Sequence, residues 1–516
     1  TMPAYDLPPG NHGSVWDLAA YMGSLQAQPT APPAPEPDTS TVAGYWTRPV
    51  PAQGGELSAA SCAGCHAAQF NDWAGTRHSL AMGPGVWAQM NDQPELRGMC
   101  ATCHTPLRDQ WADPYLQADG VGCSGCHSRA SRTFGPPPRP TTIAPLVARY
   151  PAPHGAVNTR DFFESVDFCA GCHQFAEGRA PRVNGAFLQN TVEEWRVSRA
   201  AREGRTCQTC HMPEVGGDPL PSTRIPNSPT RAGQRRHDFL GGNEWGLSLL
   251  RAAFPGELDA EFDSARMATR ANLRSAATVA FVDPPATGGL GSTVRVRVRV
   301  TNNTGHKLPT GYEDARLIWV QVRVGERVVS GAYVDDELVR DAQARVYEFE
   351  AGRVEGGRVV HSDFVAQHST VLSDTRIPPR GMMADARTAP VGRDYAGGEN
   401  GALRHWDDAS FDVPLPATAG DVPVTVRLMY RATTKHYVEA IAAANTTDNR
   451  GRELLRLFNA SGRAAPFEMA SVSTTVRVTA AESSSSRSAG CSLPSCQRAV
   501  RAGMLPSGPL DVRTVR

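Results

Sequence analysis

Ten of the twelve cysteines in this 516-residue chain fall into five pairs, each pair separated by two residues and followed at once by histidine. They read Cys62-Ala-Gly-Cys65-His66, Cys100-Ala-Thr-Cys103-His104, Cys123-Ser-Gly-Cys126-His127, Cys169-Ala-Gly-Cys172-His173 and Cys207-Gln-Thr-Cys210-His211. Thiols three positions apart lie on one side of a helical turn, where both can form thioethers to the vinyl groups of one porphyrin. The next histidine then sits beneath the iron. Zinc sites need no histidine after every second cysteine, and a dithiol oxidoreductase has no use for five copies. The pattern predicts five covalently attached haem c groups. It also limits the fold: Cys62 to His211 spans 150 residues, too little chain to build a core around each porphyrin. The macrocycles themselves must serve as interior, wrapped by short helices and loops.

Haem attachment of this kind takes place outside the cytoplasm, so a periplasmic or extracellular location is expected. No apolar run is long enough to span a bilayer as a helix. Lysine plus arginine and aspartate plus glutamate number 52 each. That balance argues against nucleic acid, or an anionic membrane, recognised by bulk charge. Haem propionates would add negative charge that the sequence does not show. Lys307 and Lys435 are the only lysines, and arginine supplies the rest, a side chain whose planar fork pairs with carboxylates. A general bias toward arginine explains the same count.

The expected class is α+β with several domains. Residues 56–260 read as a loop-rich pentahaem domain with short helices. Residues 273–480 change character: Val294-Arg295-Val296-Arg297-Val298-Arg299-Val300 and Val424-Thr425-Val426-Arg427-Leu428 alternate, as strands with one wet face do. Further strand candidates at 317–324, 327–333, 346–350 and 472–478 suggest an antiparallel β-sandwich of immunoglobulin-like type. Ahead of the haem region, 26–55 is a proline-rich, extended linker. The serine-rich tail at 481–516 carries Cys491 and Cys496, which lack a following histidine and read as a disulfide; a bond between subunits is the alternative. Residues 1–25 resemble the end of a monohaem cytochrome c, which implies Met2 as a distal ligand to a haem attached upstream. An N-terminal arm with one short helix accounts for them equally.

Nine histidines lie outside the motifs. The run Cys62-Ala-Gly-Cys65-His66-x-x-Gln69-Phe70-x-x-Trp73-x-x-x-x-His78-Ser79-x-Ala81 resembles the opening of multihaem cytochromes related to the tetrahaem electron acceptors of ammonia oxidation. That resemblance implies His78 as a distal haem ligand. It extends to His154, upstream of Phe168-Cys169, and to His237-Asp238-Phe239 after Cys207-Gln208-x-Cys210-His211-Met212-Pro213. Asn303-Thr304-Gly305-His306-Lys307-Leu308-Pro309-Thr310-Gly311-Tyr312 resembles a motif of β-domains appended to such cytochromes, which implies that His306 reaches back to a haem. A histidine stabilising a turn between strands is the alternative there. The chain departs from the tetrahaem pattern in its fifth motif and its β-domain. A fifth distal ligand is left open among His368, His361 and His12, or none.

The expected function is electron relay through mostly bis-histidine haems, between a redox donor and acceptor protein, as a single chain or as a subunit of a larger assembly or filament. The alternative is a redox enzyme with one open haem acting on a small nitrogen or sulfur species. Against it, no motif replaces its histidine with lysine.

Overall fold

The computed structural model describes residues 57–480, except 80, 93–96, 112, 130–131, 136–156, 160, 175–181, 184–185, 188, 218–221, 223–231, 257, 312–314 and 365–366. The N-terminal unit with Met2 and His12, the linker, His154 and the tail with Cys491 and Cys496 lie outside the described residues.

The motif half is built from short helices: α1 (Ala59–Ala63), α2 (Ala67–Ala74), α3 (Pro84–Asp92), α4 (Arg97–His104), α5 (Cys123–His127), α6 (Asp167–His173), α7 (Thr191–Arg196) and α8 (Cys207–His211). Longer helices follow, α9 (Glu244–Ala253) and α10 (Asp259–Ala276). Asn243 caps α9 by accepting from the Gly246 N–H at 2.9 Å, and Asp259 and Glu261 place negative charge in the first turn of α10.

The second half is sheet. Strands β1 (Ala277–Val282), β2 (Thr293–Asn302) and β9 (Trp406–Pro414) form one antiparallel layer in the order β9-β2-β1. The larger layer contains β3 (Leu317–Val324), β4 (Arg327–Ser330), β5 (Arg345–Tyr347), β10 (Gly420–Arg431) and β11 (Phe467–Thr479). Val296, Val298 and Val300 of β2 face Val320 and Val322 of β3 and Val424, Val426 and Leu428 of β10 in one apolar core. The alternating arginines face outward, where Arg299 meets Asp408 of the neighbouring strand through two 2.7 Å contacts. The period-2 pattern thus sorts valine inward and arginine outward. A third, three-stranded sheet consists of β6 (Phe349–Glu355), β7 (Arg358–His361) and β8 (Thr370–Asp374), in the order β7-β6-β8.

Between β10 and β11 the chain leaves the sheet for a helical hairpin, α11 (Lys435–Ala444) and α12 (Arg450–Ala460), on which the strand alternation is silent. Val438, Ile441, Leu454, Leu457 and Phe458 of this hairpin join Ala88 of α3, Leu250 of α9 and Phe262 of α10 in a second apolar core. Each fully buried large side chain there contributes about 1.5–3 kcal/mol. The hairpin therefore binds the sheet half to the motif half, and the described residues up to Thr479 fall in one compact unit.

Candidate functional site

All five pentapeptides sit on or just after short helices, as the two-thiol geometry requires. The His66 N–H donates to the Cys62 carbonyl at 2.9 Å, continuing the turn that presents both thiols of the first motif. None of the ten cysteines is in a disulfide. Two of the three close approaches between motifs join motifs that are not consecutive in sequence. The Cys62 and Cys123 side chains adjoin one another, as do those of Cys169 and Cys207, and the Cys103 thiol lies 4.0 Å from the Cys172 carbonyl.

Three of the four nominated distal histidines meet specific motif histidines. His78 stands over His173 with ring centres 6.1 Å apart and planes at 79°. His237 and His127 are 6.3 Å apart at 33°. His306 and His211 are 6.2 Å apart at 15°. With metal–imidazole bonds of about 2.0 Å, and about 1.1 Å from nitrogen to ring centre, two imidazoles trans on one iron stand about 6.2 Å apart. The three pairs fit an iron held between them.

Ring orientation agrees. His104 Nδ1 lies 2.7 Å from the Ala81 carbonyl, His306 Nδ1 is 2.9 Å from the Lys307 carbonyl and His237 Nδ1 is 3.2 Å from the Arg235 carbonyl; His211 Nδ1 faces the Leu240 carbonyl. A carbonyl only accepts, so Nδ1 carries the proton and Nε2 keeps its lone pair for a metal. Burial, reinforced by the neighbouring imidazoles, pushes His78 down to about 3, and burial pushes His237 and His306 down to about 4. All three are neutral at pH 7, the form that ligates.

Local structure fixes each distal ring. The His78 N–H donates to Thr76 Oγ1 at 3.2 Å, and the Val121 N–H donates to the His78 carbonyl at 2.9 Å. Trp73 Nε1 donates to the Val121 carbonyl at 2.9 Å, which explains the tryptophan ahead of this histidine. Gly120, at φ +55°, lies so close that a Cβ would meet the His78 carbonyl at 2.7 Å. The His237 N–H donates to Asp72 on α2 at 3.1 Å. Phe239 separates the two rings, 4.5 Å from His78 and 5.9 Å from His237, and Phe163 stacks on His127 at 5.4 Å.

His306 reaches the motif half on a loop held by buried charge. Glu194 of α7 is fully buried. It accepts from the Lys307 N–H at 3.1 Å and from Thr310 Oγ1 at 2.8 Å, on either side of the turn. Arg376 bridges Glu194 at 3.0 Å and Asp374 at 2.7 Å, and Lys307 Nζ meets Asp374 at 2.5 Å. Burial alone would raise the Asp374 carboxyl, but Arg376 and Lys307 hold it well below its ordinary range. A Cβ on Gly305 would lie 3.0 Å from the Ala200 Cβ and 3.3 Å from Trp195, so glycine lets the loop seat against α7. No sequence pattern marks Glu194, Phe239 or Phe163 for these roles.

Of the other candidates, His361 and His368 sit in the sheet half. His368 is buried, with Nε2 2.7 Å from the Ser362 carbonyl, and the His361 ring neighbours His436 at 6.3 Å.

Residues 61–128 match the family of cytochrome c554 and c-prime. Among solved structures the chain is similar to a penta-heme cytochrome c552 from Thermochromatium tepidum, at 16% identity over 83% of this chain and 99% of that one, with a TM-score of 0.48. No curated protein matches. No described helix is long and apolar enough to cross a membrane. Five Cys-x-x-Cys-His motifs and the family match across the first three of them make this chain a multihaem c-type cytochrome.

Proposed function

We propose that this chain relays electrons between a donor and an acceptor protein through five haem c groups, most of them held by histidine on both faces. The observation that carries the reading is the set of three imidazole pairs at 6.1, 6.3 and 6.2 Å. When bound, the haems supply one-electron exchange between ferric and ferrous iron. Everything else is the work of the chain. The ten cysteines anchor the macrocycles. His66, His104, His127, His173 and His211 are the proximal ligands. His78, His237 and His306 close the sites of His173, His127 and His211 from the opposite face, and His154 serves one of the two remaining. Ligation on both faces keeps substrate off the metal, which favours transfer over catalysis.

The thiol contacts support a spatial order in which the first motif adjoins the third, the second adjoins the fourth, and the fourth adjoins the fifth. The haem region is 56–260. The immunoglobulin-like reading of 273–480 rests on two layers sharing one core, antiparallel but for a short parallel edge strand at Thr287–Gly289; its part in the function is to deliver His306 and shield that side. The chemistry of attachment supports a periplasmic or extracellular site of action, alone or within a larger assembly. Intact mass and pyridine haemochrome analysis of the purified protein should give five haems per chain, with at most a minor response to carbon monoxide. Fewer haems, or free thiols at the motifs, would overturn the reading. Full carbon monoxide binding at one iron would favour a redox enzyme.

A further inference from the structure

The three residues His361, Asp363 and His436 lie in the sheet half and have no part in the reading above. His361 ends β7, where it pairs with Gly352 of β6. Asp363 follows two residues later in the connection to β8. His436 is the second residue of α11, whose N-terminus is capped by Thr434 Oγ1 accepting from the Tyr437 N–H at 3.2 Å. Residues more than seventy positions apart are thus brought to one spot. The His436 Nε2 and an Asp363 oxygen are 3.1 Å apart, the two imidazole centres are 6.3 Å apart with planes at 45°, and one ligand atom from each of the three lies within 4.8 Å of the others.

We propose that His361, Asp363 and His436 bind a divalent transition-metal ion, of which Zn²⁺ is the representative. Two imidazole nitrogens and one carboxylate oxygen are a donor set of borderline hardness, suited to zinc and its neighbours and poorly suited to calcium or magnesium. Bonds of about 2.0–2.1 Å in a tetrahedral site put ligand atoms about 3.3 Å apart. The His436–Asp363 pair already stands at that spacing. His361 and His436 are exposed, so rotation of their side chains closes the remaining distance without moving the backbone, and water takes the fourth position.

The carboxylate, by contrast, is held. Ser362 is buried and its carbonyl is bound by the buried His368, while the Phe364 ring packs on the core that contains α11 and α12. A simple ion pair would need only one of the two histidines. With both present, the ion joins the β7 end of the third sheet to the start of α11, the hairpin that fastens the sheet half to the motif half.

The test uses full-length holoprotein freed of adventitious metal with a chelator, then dialysed against ZnCl₂, with zinc counted against haem iron. The wild type should hold one more zinc per chain than the His361→Gln/His436→Gln double variant, and Asp363→Asn should bind about tenfold or more weakly. Zinc should also slow hydrogen exchange together at 358–364 and 434–438 in the wild type alone. Unchanged haem spectra certify the fold of each variant, and His361→Gln alone provides a milder one. Equal zinc content and affinity in wild type and double variant, or no saturable uptake, overturns the proposal.

Discussion

Replacing His306 by alanine tests the assignment of axial pairs at the one position where the ligand comes from the sheet half. Each imidazole donates π density into iron d orbitals along its own ring plane. Two parallel rings add their splitting, and two crossed rings cancel it. The in-plane splitting therefore scales with the cosine of the angle between the rings. For 15°, 33° and 79° it is about 0.97, about 0.84 and about 0.19 of the parallel value, an effect of axial ligation on the iron's electronics. The ferric protein should thus show two rhombic low-spin signals, from the His211/His306 and His127/His237 pairs. His78/His173 should give one strongly axial signal with a large principal g value. In His306→Ala the more rhombic species should vanish, and one iron in five should become high-spin and bind carbon monoxide. His78→Ala should remove the axial species and leave both rhombic ones. Electron paramagnetic resonance with carbon monoxide difference spectra reads both. A low-spin spectrum unchanged in His306→Ala, with no carbon monoxide uptake, refutes the pairing.

Glu194→Gln leaves Arg376 facing a neutral amide inside a buried cluster, so denaturant unfolding should register a loss of about 3–5 kcal/mol, accompanied by partial carbon monoxide binding at the His211 iron as the His306 loop loosens. Asp119 is buried, and that burial pushes its carboxyl up to about 6, against the Ala59 N–H that donates to it at 2.7 Å. In the unfolded chain it titrates near 3.9, so between about pH 4 and 6 the folded state holds the extra proton and stability falls as pH rises. Unfolding at a series of pH values should show Asp119→Asn lacking this decline, with a difference of about 2–3 kcal/mol across the window; parallel profiles would disprove it.

The covalent motifs are legible because their chemistry is local: two thiols and a histidine within five residues need no tertiary partner to be recognised. The strands at Thr293–Asn302, Leu317–Val324 and Gly420–Arg431 are legible for a related reason, since alternation of valine and arginine records which face is wet. The resemblance nominated His78, His237 and His306, but nothing in their spacing says which motif each would serve. His78 belongs with His173, 95 positions away, because Gly120 and Val121 fold back onto it; His306 meets His211 because Glu194, Lys307, Asp374 and Arg376 neutralise one another beneath its turn. The hairpin at 435–460 and the convergence of His361 with His436 are invisible for the same cause. Sequence alone determined the number of Cys-x-x-Cys-His motifs and the strand-rich character of the second half. Tertiary structure alone decided which imidazoles face each other, because that depends on packing and charge compensation between segments far apart in the chain.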